Sequence, residues 1–140
     1  MKSKKKKVLV PRTHCSNTLT ESGFFGLIRS ALRRLSIRWK PRSDYLLSVR
    51  RPKKNGGRSK WEYQCELCLG WFIRAHVEAD HRVSCGSLKS FNDIGPFVER
   101  LLCEIDGWRV VCKPCHHERT QGERYGTIKK ITKTIKKRKK

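Results

Sequence analysis

The deciding stretch starts at Tyr63-Gln-Cys65-Glu-Leu-Cys68-Leu-Gly70-Trp-Phe72, runs through Val77-Glu-Ala-Asp80-His81-Arg82-Val83 and ends at Val110-Val-Cys112-Lys-Pro-Cys115-His116. Two Cys-x-x-Cys pairs bracket an Asp-His dipeptide, and the second pair leads directly into a histidine. A two-residue spacer lets both thiolates of one turn reach the same ion, and zinc favours tetrahedral sulfur and nitrogen ligands. Cys65, Cys68, Cys112 and Cys115 are therefore expected to hold one structural Zn2+. Forty-three residues separate Cys68 from Cys112, against ~15 to 20 in a compact zinc ribbon, which leaves room for a strand and a helix between the pairs. An ion pinning the two ends of that insertion would supply folding energy that a core of this size lacks.

The remaining cysteines, Cys15, Cys85 and Cys103, bring the total to an odd seven, which argues for metal rather than a disulfide framework. Cys103 follows Leu101-Leu102 and reads as a small apolar residue of the core.

Charge is distributed unevenly. Residues 1–60 carry net +16, residues 121–140 net +8, and residues 61–120 net −2, within a total of +22 over 140 residues. Cations flanking a near-neutral Cys/His segment favour a polyanion through counterion release, with little sequence information. Solvated basic tails that maintain solubility are the plainer reading of the two Lys runs. No apolar run approaches the ~20 residues needed to cross a bilayer. The start, Met1-Lys-Ser-Lys-Lys-Lys-Lys, lacks the apolar stretch of a secretory leader, so a cytoplasmic location without membrane contact is expected.

Punctuation and periodicity divide the chain into four parts. Residues 1–18 are Lys-rich and expected to be disordered. Residues 19–60 form a basic extension: Phe24, Leu27, Ile28, Ala31, Leu32 and Leu35 recur at helical spacing, while Arg29, Arg33, Arg34 and Arg38 occupy other faces. That helix should stop near Pro41, a second short one is read over Asp44 to Arg50, and Arg51 to Lys60, with Pro52, Gly56 and Gly57, reads as a basic linker bearing Lys53 and Lys54. Residues 61–123 form the Cys/His domain. In it Gly70 is placed at a positive φ, and His76 to Val83 reads as a strand with Val77, Ala79, His81 and Val83 on its inner face. Pro96 opens a helix with a Phe97, Val98, Leu101, Leu102, Ile105 stripe, Trp108 to Val111 form a strand, and a last helix starts at Cys115. Residues 124–140 are a Lys-rich tail in which Ile128, Ile131 and Ile135 suit a helix formed on a polyanion.

In order and spacing these motifs resemble the HNH (His-Asn-His) endonucleases, in the subgroup whose ββα-metal unit is stapled by a four-cysteine zinc site. Cys65-x-x-Cys68, Ala79 to Val83, Val110 to His116 and then Thr120 carry the resemblance, which covers roughly residues 60 to 123. An Arg-rich helix before the finger and a lysine tail after it are similar to the small HNH proteins of tailed bacteriophages, for which the location would be host cytoplasm. The implied fold is α+β, a zinc-stapled ββα-metal unit preceded by a basic amphipathic helix, with disordered Lys-rich termini.

The resemblance implies a role for each residue. Asp80 takes the first metal position, often His in the family, and its oxygen suits Mg2+ or Mn2+. His116 takes the second metal position, with the neighbouring His117 as the alternative. His81 takes the place of the general base, an imidazole being able to accept a proton from water near neutral pH. Thr120 stands where some members have a further His ligand. The family's middle Asn is missing ahead of the second strand, and either Asp106 or Asn92 is the substitute. The implied partner is double-stranded DNA, contacted by Arg29, Arg33, Arg34, Arg38, Lys53 and Lys54, and the implied products are 5′-phosphate and 3′-hydroxyl ends. The competing expectation is a zinc-containing nucleic-acid-binding protein that cuts nothing; no dimer seam is visible in either case.

Overall fold

A computed structural model of the chain describes residues 9–125. The Lys-rich start and the tail with Ile128, Ile131 and Ile135 lie outside the described residues. The fold is small and mixed: β1 (Arg12–His14), β2 (Leu19–Thr20), α1 (Glu21–Ile37), α2 (Lys40–Ser48), β3 (Arg50–Pro52), β4 (Trp61–Gln64), β5 (Trp71–Ile73), β6 (Val77–His81), α3 (Ile94–Leu101), β7 (Trp108–Cys112) and α4 (Lys113–Tyr125). None of the described helices is long and apolar enough to cross a membrane.

The contacts divide the chain into two compact units, the described part of Met1–Ile37 with Cys85–Leu102, and Arg38–Ser84 with the described part of Cys103–Lys140. The helix between the two cysteine pairs thus belongs with α1.

In the first unit, Thr20 caps α1 by accepting the Gly23 amide on its hydroxyl at 3.1 Å, which satisfies one of the donors a helix start leaves open. The buried stripe is rotated from the expected one. Phe25, with Phe24, Ile28 and Leu32 beside it, packs with Cys85, Leu88, Phe97 and Leu101, whereas Leu27 and Leu35 are 60% and 50% exposed. Both registers have three- and four-residue spacing; the observed one buries Phe25 against Phe97 and Leu101 while keeping Phe24 at the margin, so both rings leave water. Arg29, Arg33 and Arg34 are exposed on this helix.

In the second unit, the expected stop near Pro41 is a restart. α1 ends at Ile37 and Pro41 lies in the first turn of α2, where a missing amide hydrogen costs nothing. The expected linker over Arg51 to Lys60 is a hairpin: β3 pairs antiparallel with β4, Arg50 opposite Tyr63 and Pro52 opposite Trp61. β5 adds to the other edge of β4. Gly56 and Gly57, at φ +56° and +96°, make the turn in a region that disfavours side chains. A separate ribbon pairs β6 with β7, from Val77 opposite Cys112 to His81 opposite Trp108.

Tyr45, Leu46, Tyr63, Val77, Trp108 and Val110 form the core between α2 and these strands. Cys103 packs against it half-buried, and its carbonyl accepts the Trp39 indole N–H at 2.8 Å. A side chain at Gly107 would come within 2.5 Å of the Cys103 sulfur, so close packing keeps that position bare.

Candidate functional site

The candidate metal centre is built from the two ends of the insertion. Cys65 and Cys68 sit in the turn from β4 to β5, closed by Cys65 N–H donating to the Gly70 carbonyl and Leu69 N–H donating to the Cys65 carbonyl, both at 2.9 Å. Leu69, at φ +60°, takes the left-handed conformation assigned above to Gly70. Gly70 is needed for room, since a Cβ there would lie 2.8 Å from the Phe72 ring. Cys112 ends β7, Cys115 lies in the first turn of α4, and Glu66 N–H donates to the Val110 carbonyl at 2.9 Å to hold the two parts together.

The four sulfurs lie within 4.8 Å of one another and form the one such group of three or more ligating side chains among the described residues. Cys65 and Cys112 are buried, and Cys68 and Cys115 partly so. Burial and then the neighbouring thiols push the Cys115 thiol up, and burial pushes Cys112 up. At Cys65, burial pushes the same way, but the amides of Cys68, Cys112 and Leu67 outweigh it and hold the thiol below its ordinary value. A dication relieves the crowding at Cys112 and Cys115, and four sulfurs this close can hold a metal ion such as zinc.

Neighbouring side chains on a strand point to opposite faces, and β6 uses both. Val77, Ala79 and His81 lie on the core side, with the His81 ring 4.1 Å from that of Trp108. Glu78 and Asp80 lie on the side facing α4. There the His116 imidazole reaches both carboxylates: Nδ1 is 2.6 Å from Glu78 Oε2 and Nε2 is 3.7 Å from Asp80 Oδ1. An imidazole donating through Nδ1 to Glu78 turns the lone pair of Nε2 towards Asp80.

Asp80 divides its own oxygens. Oδ2 accepts from Arg109 Nε at 3.1 Å and from Arg119 Nη1, leaving Oδ1 on the His116 side. Arg119 also donates to the His81 carbonyl at 3.1 Å, so one guanidinium braces both members of the Asp-His dipeptide.

Glu78 escaped the sequence reading. The available signal was its position two residues before Asp80 on the same strand face. His117 is exposed and pairs with Gln121 at 3.2 Å, so the structure brings His116, not His117, to Asp80. Thr120 is tied to the His116 carbonyl at 2.9 Å. Asp106 lies in the 3-10 turn Ile105–Gly107 before β7, its carbonyl accepting from Arg82 Nε at 3.1 Å. Asn92 lies in the 3-10 turn Phe91–Asp93 of the other unit.

Two open cavities flank the Glu78 carboxylate. One of about 410 Å³ is lined by Glu78, Lys113, His116, His117, Thr120 and Gln121. The other, of about 500 Å³, adds Arg42 and Arg74 to Glu78 and Lys113. Burial and then the charge of Arg74 lower the Arg42 pKa, with Glu78 opposing. Three cations around one carboxylate leave this cavity with a surplus of positive charge.

Among family models, curated proteins and solved structures, nothing matches this chain. Of the zinc-stapled unit expected from the sequence, the structure shows four close cysteines that could hold a metal, in a small mixed fold of helices and strands.

Proposed function

We propose that the chain is a metal-dependent DNA endonuclease of the HNH type, with structural zinc on the four cysteines. The observation that carries this reading is the approach of His116 Nε2 to Asp80 Oδ1, with Glu78 turning the ring from behind. An oxygen and a nitrogen offered side by side suit a hard divalent cation such as Mg2+ or Mn2+. When bound, that cation supplies charge stabilisation at the scissile phosphate and the leaving 3′ oxygen. His81, at the end of β6 where pairing with β7 stops, is the group to take a proton from the attacking water. The surplus cations at Arg42, Arg74 and Lys113 suit the flanking phosphates.

Two observations favour a second reading, a zinc-containing nucleic-acid-binding protein without catalysis. Two arginines already engage Asp80, and His81 leans on Trp108 from the opposite face of the strand. Plasmid nicking in Mg2+ or Mn2+ separates the two. Wild type should convert supercoiled DNA to open circles while His81→Ala binds DNA without cutting it. Intact supercoils with wild type in every divalent cation, despite binding, would leave the second reading.

A further inference from the structure

The β3–β4 hairpin, read from sequence as a linker, has a structure of its own. Its strands and turn carry Arg50, Lys53, Lys54, Arg58 and Lys60, and none of these five has an ion-pair partner among the described residues. Lys54, Arg58 and Lys60 are exposed. The remaining arginine, Arg51, is neutralised by Glu62 at 2.8 Å.

Each face of this ribbon carries an arginine lying on an indole. The Arg50 guanidinium is 4.0 Å from the centre of the Trp61 ring, and that of Arg51 is 3.1 Å from the centre of Trp71. The pairing register places Arg50 opposite Tyr63, diagonal to Trp61 on the same face; Arg51 lies across from Glu62 and reaches over β4 to Trp71. A guanidinium stacked on a ring is held flat with its N–H edge outward, so less freedom is lost when it meets a phosphate. Gly56 and Gly57 supply the left-handed backbone of the turn, and the Lys53 amine lies within 3.4 Å of where a Gly57 side chain would begin.

We propose that the β3–β4 hairpin is a docking surface for the sugar-phosphate backbone of duplex DNA, gripping it through Arg50 and the turn cations without reading sequence. The inference rests on the nucleic-acid part of the function above but not on cleavage. Pairing with β5 ends at Glu62, so from Trp61 and Pro52 outward the hairpin tip is two-stranded, the width that the B-form major groove admits between its phosphate walls, whereas the deep, narrow A-form groove of duplex RNA excludes it. Single strands are gripped by open aromatic faces, and here a guanidinium already covers one face of each indole.

The test is fluorescence anisotropy with a labelled DNA duplex of arbitrary sequence, full-length zinc-loaded protein, no added Mg2+ or Mn2+, and a salt series. Lys53→Gln/Lys54→Gln/Arg58→Gln should weaken binding equally for unrelated duplexes and flatten the slope of log affinity against log salt by about 2 to 3, close to 0.9 per lost phosphate contact. Trp61→Ala, which frees Arg50, should weaken binding several-fold with little change in slope. Thermal unfolding and zinc content of both variants should match wild type, so that lost binding is not lost folding. An unchanged slope in the triple variant, or tighter binding of single strands than of the duplex, overturns the proposal. If the slope flattens but wild type never nicks plasmid, the enzyme reading fails and this surface stands; if wild type nicks and the slope is unchanged, the reverse holds.

Discussion

Arg82 donates through both of its Nη atoms to the two oxygens of Glu66, each at 2.8 Å. Glu66 lies between the thiols of the first Cys-x-x-Cys turn, and Arg82 directly follows His81. The pair therefore ties the metal turn to the end of the strand that carries the Asp-His dipeptide. Tyr45 joins from the core, its hydroxyl donating to Glu66 Oε1 at 2.7 Å; burial and then this hydrogen bond push its pKa up to about 12.

The Glu66–Arg82 pair is half-exposed, so its direct worth to stability is about 1 kcal/mol or less. Glu66→Ala also takes the acceptor from the Tyr45 hydroxyl, so it should lower stability by about 1 to 3 kcal/mol, and it should slow nicking as the end of β6 loosens. Single-turnover cleavage alongside thermal unfolding checks this. A large loss of stability with an unchanged rate would make the pair a structural clamp and nothing more.

Removing the proposed zinc should be far more damaging. Structural zinc sites bind with about 10 to 16 kcal/mol, which matches or exceeds the whole stability of an ordinary domain. Chelation, or Cys112→Ser, should abolish the cooperative unfolding of the unit that contains α2, β3–β7 and α4. The measurements are metal content and differential scanning calorimetry; a Cys112→Ser protein that melts like wild type would argue against a structural metal.

Glu78→Gln tests the carboxylate that turns His116. The Glu78 side chain is 42% exposed, so stability should barely change. Partners that orient a ligating imidazole are typically worth about 10- to 100-fold in metal affinity, and Mn2+ titration of the zinc-loaded protein should show a weakening of that order. Equal Mn2+ affinity in both proteins would remove Glu78 from the site.

How far the site could be read in advance depended on how local its chemistry is. The cysteine pairs announce themselves by type and spacing, Asp80 and His116 are candidates by the same means, and the alternation of β6 puts His81 on the inner face, where its ring meets Trp108. Glu78 was passed over because a lone glutamate between apolar residues resembles any solvated strand position. Its meaning appears only when α4 brings His116 across. The α1 register was ambiguous because Phe24 and Phe25 are adjacent and either can lead an apolar stripe; α3 decides for Phe25. The hairpin was hidden by its own turn, since Pro52 and the Gly56–Gly57 pair signal a break equally well in a linker and in a ribbon. The alternation of Trp61 and Tyr63 was the available clue that strand structure resumes.

Asp80 is where the two functional readings diverge most sharply. Its side chain is 12% exposed, and those of Arg109 and Arg119 are 16% and 18% exposed. Asp80→Asn would leave two largely buried guanidiniums facing a neutral amide, which should cost roughly 2 to 3 kcal/mol, somewhat below the figure for a fully buried pair. An ion-pair hub predicts this loss and no more. A ligand predicts in addition that Mn2+ binding disappears, and that Arg119→Gln, by removing a cation that competes for the same carboxylate, tightens Mn2+ binding despite its own cost to folding. Calorimetric Mn2+ titration of the two variants therefore decides the matter: weaker binding in Asp80→Asn together with tighter binding in Arg119→Gln assigns the carboxylate to the metal, whereas unchanged binding in both leaves Asp80 as a brace for the ribbon.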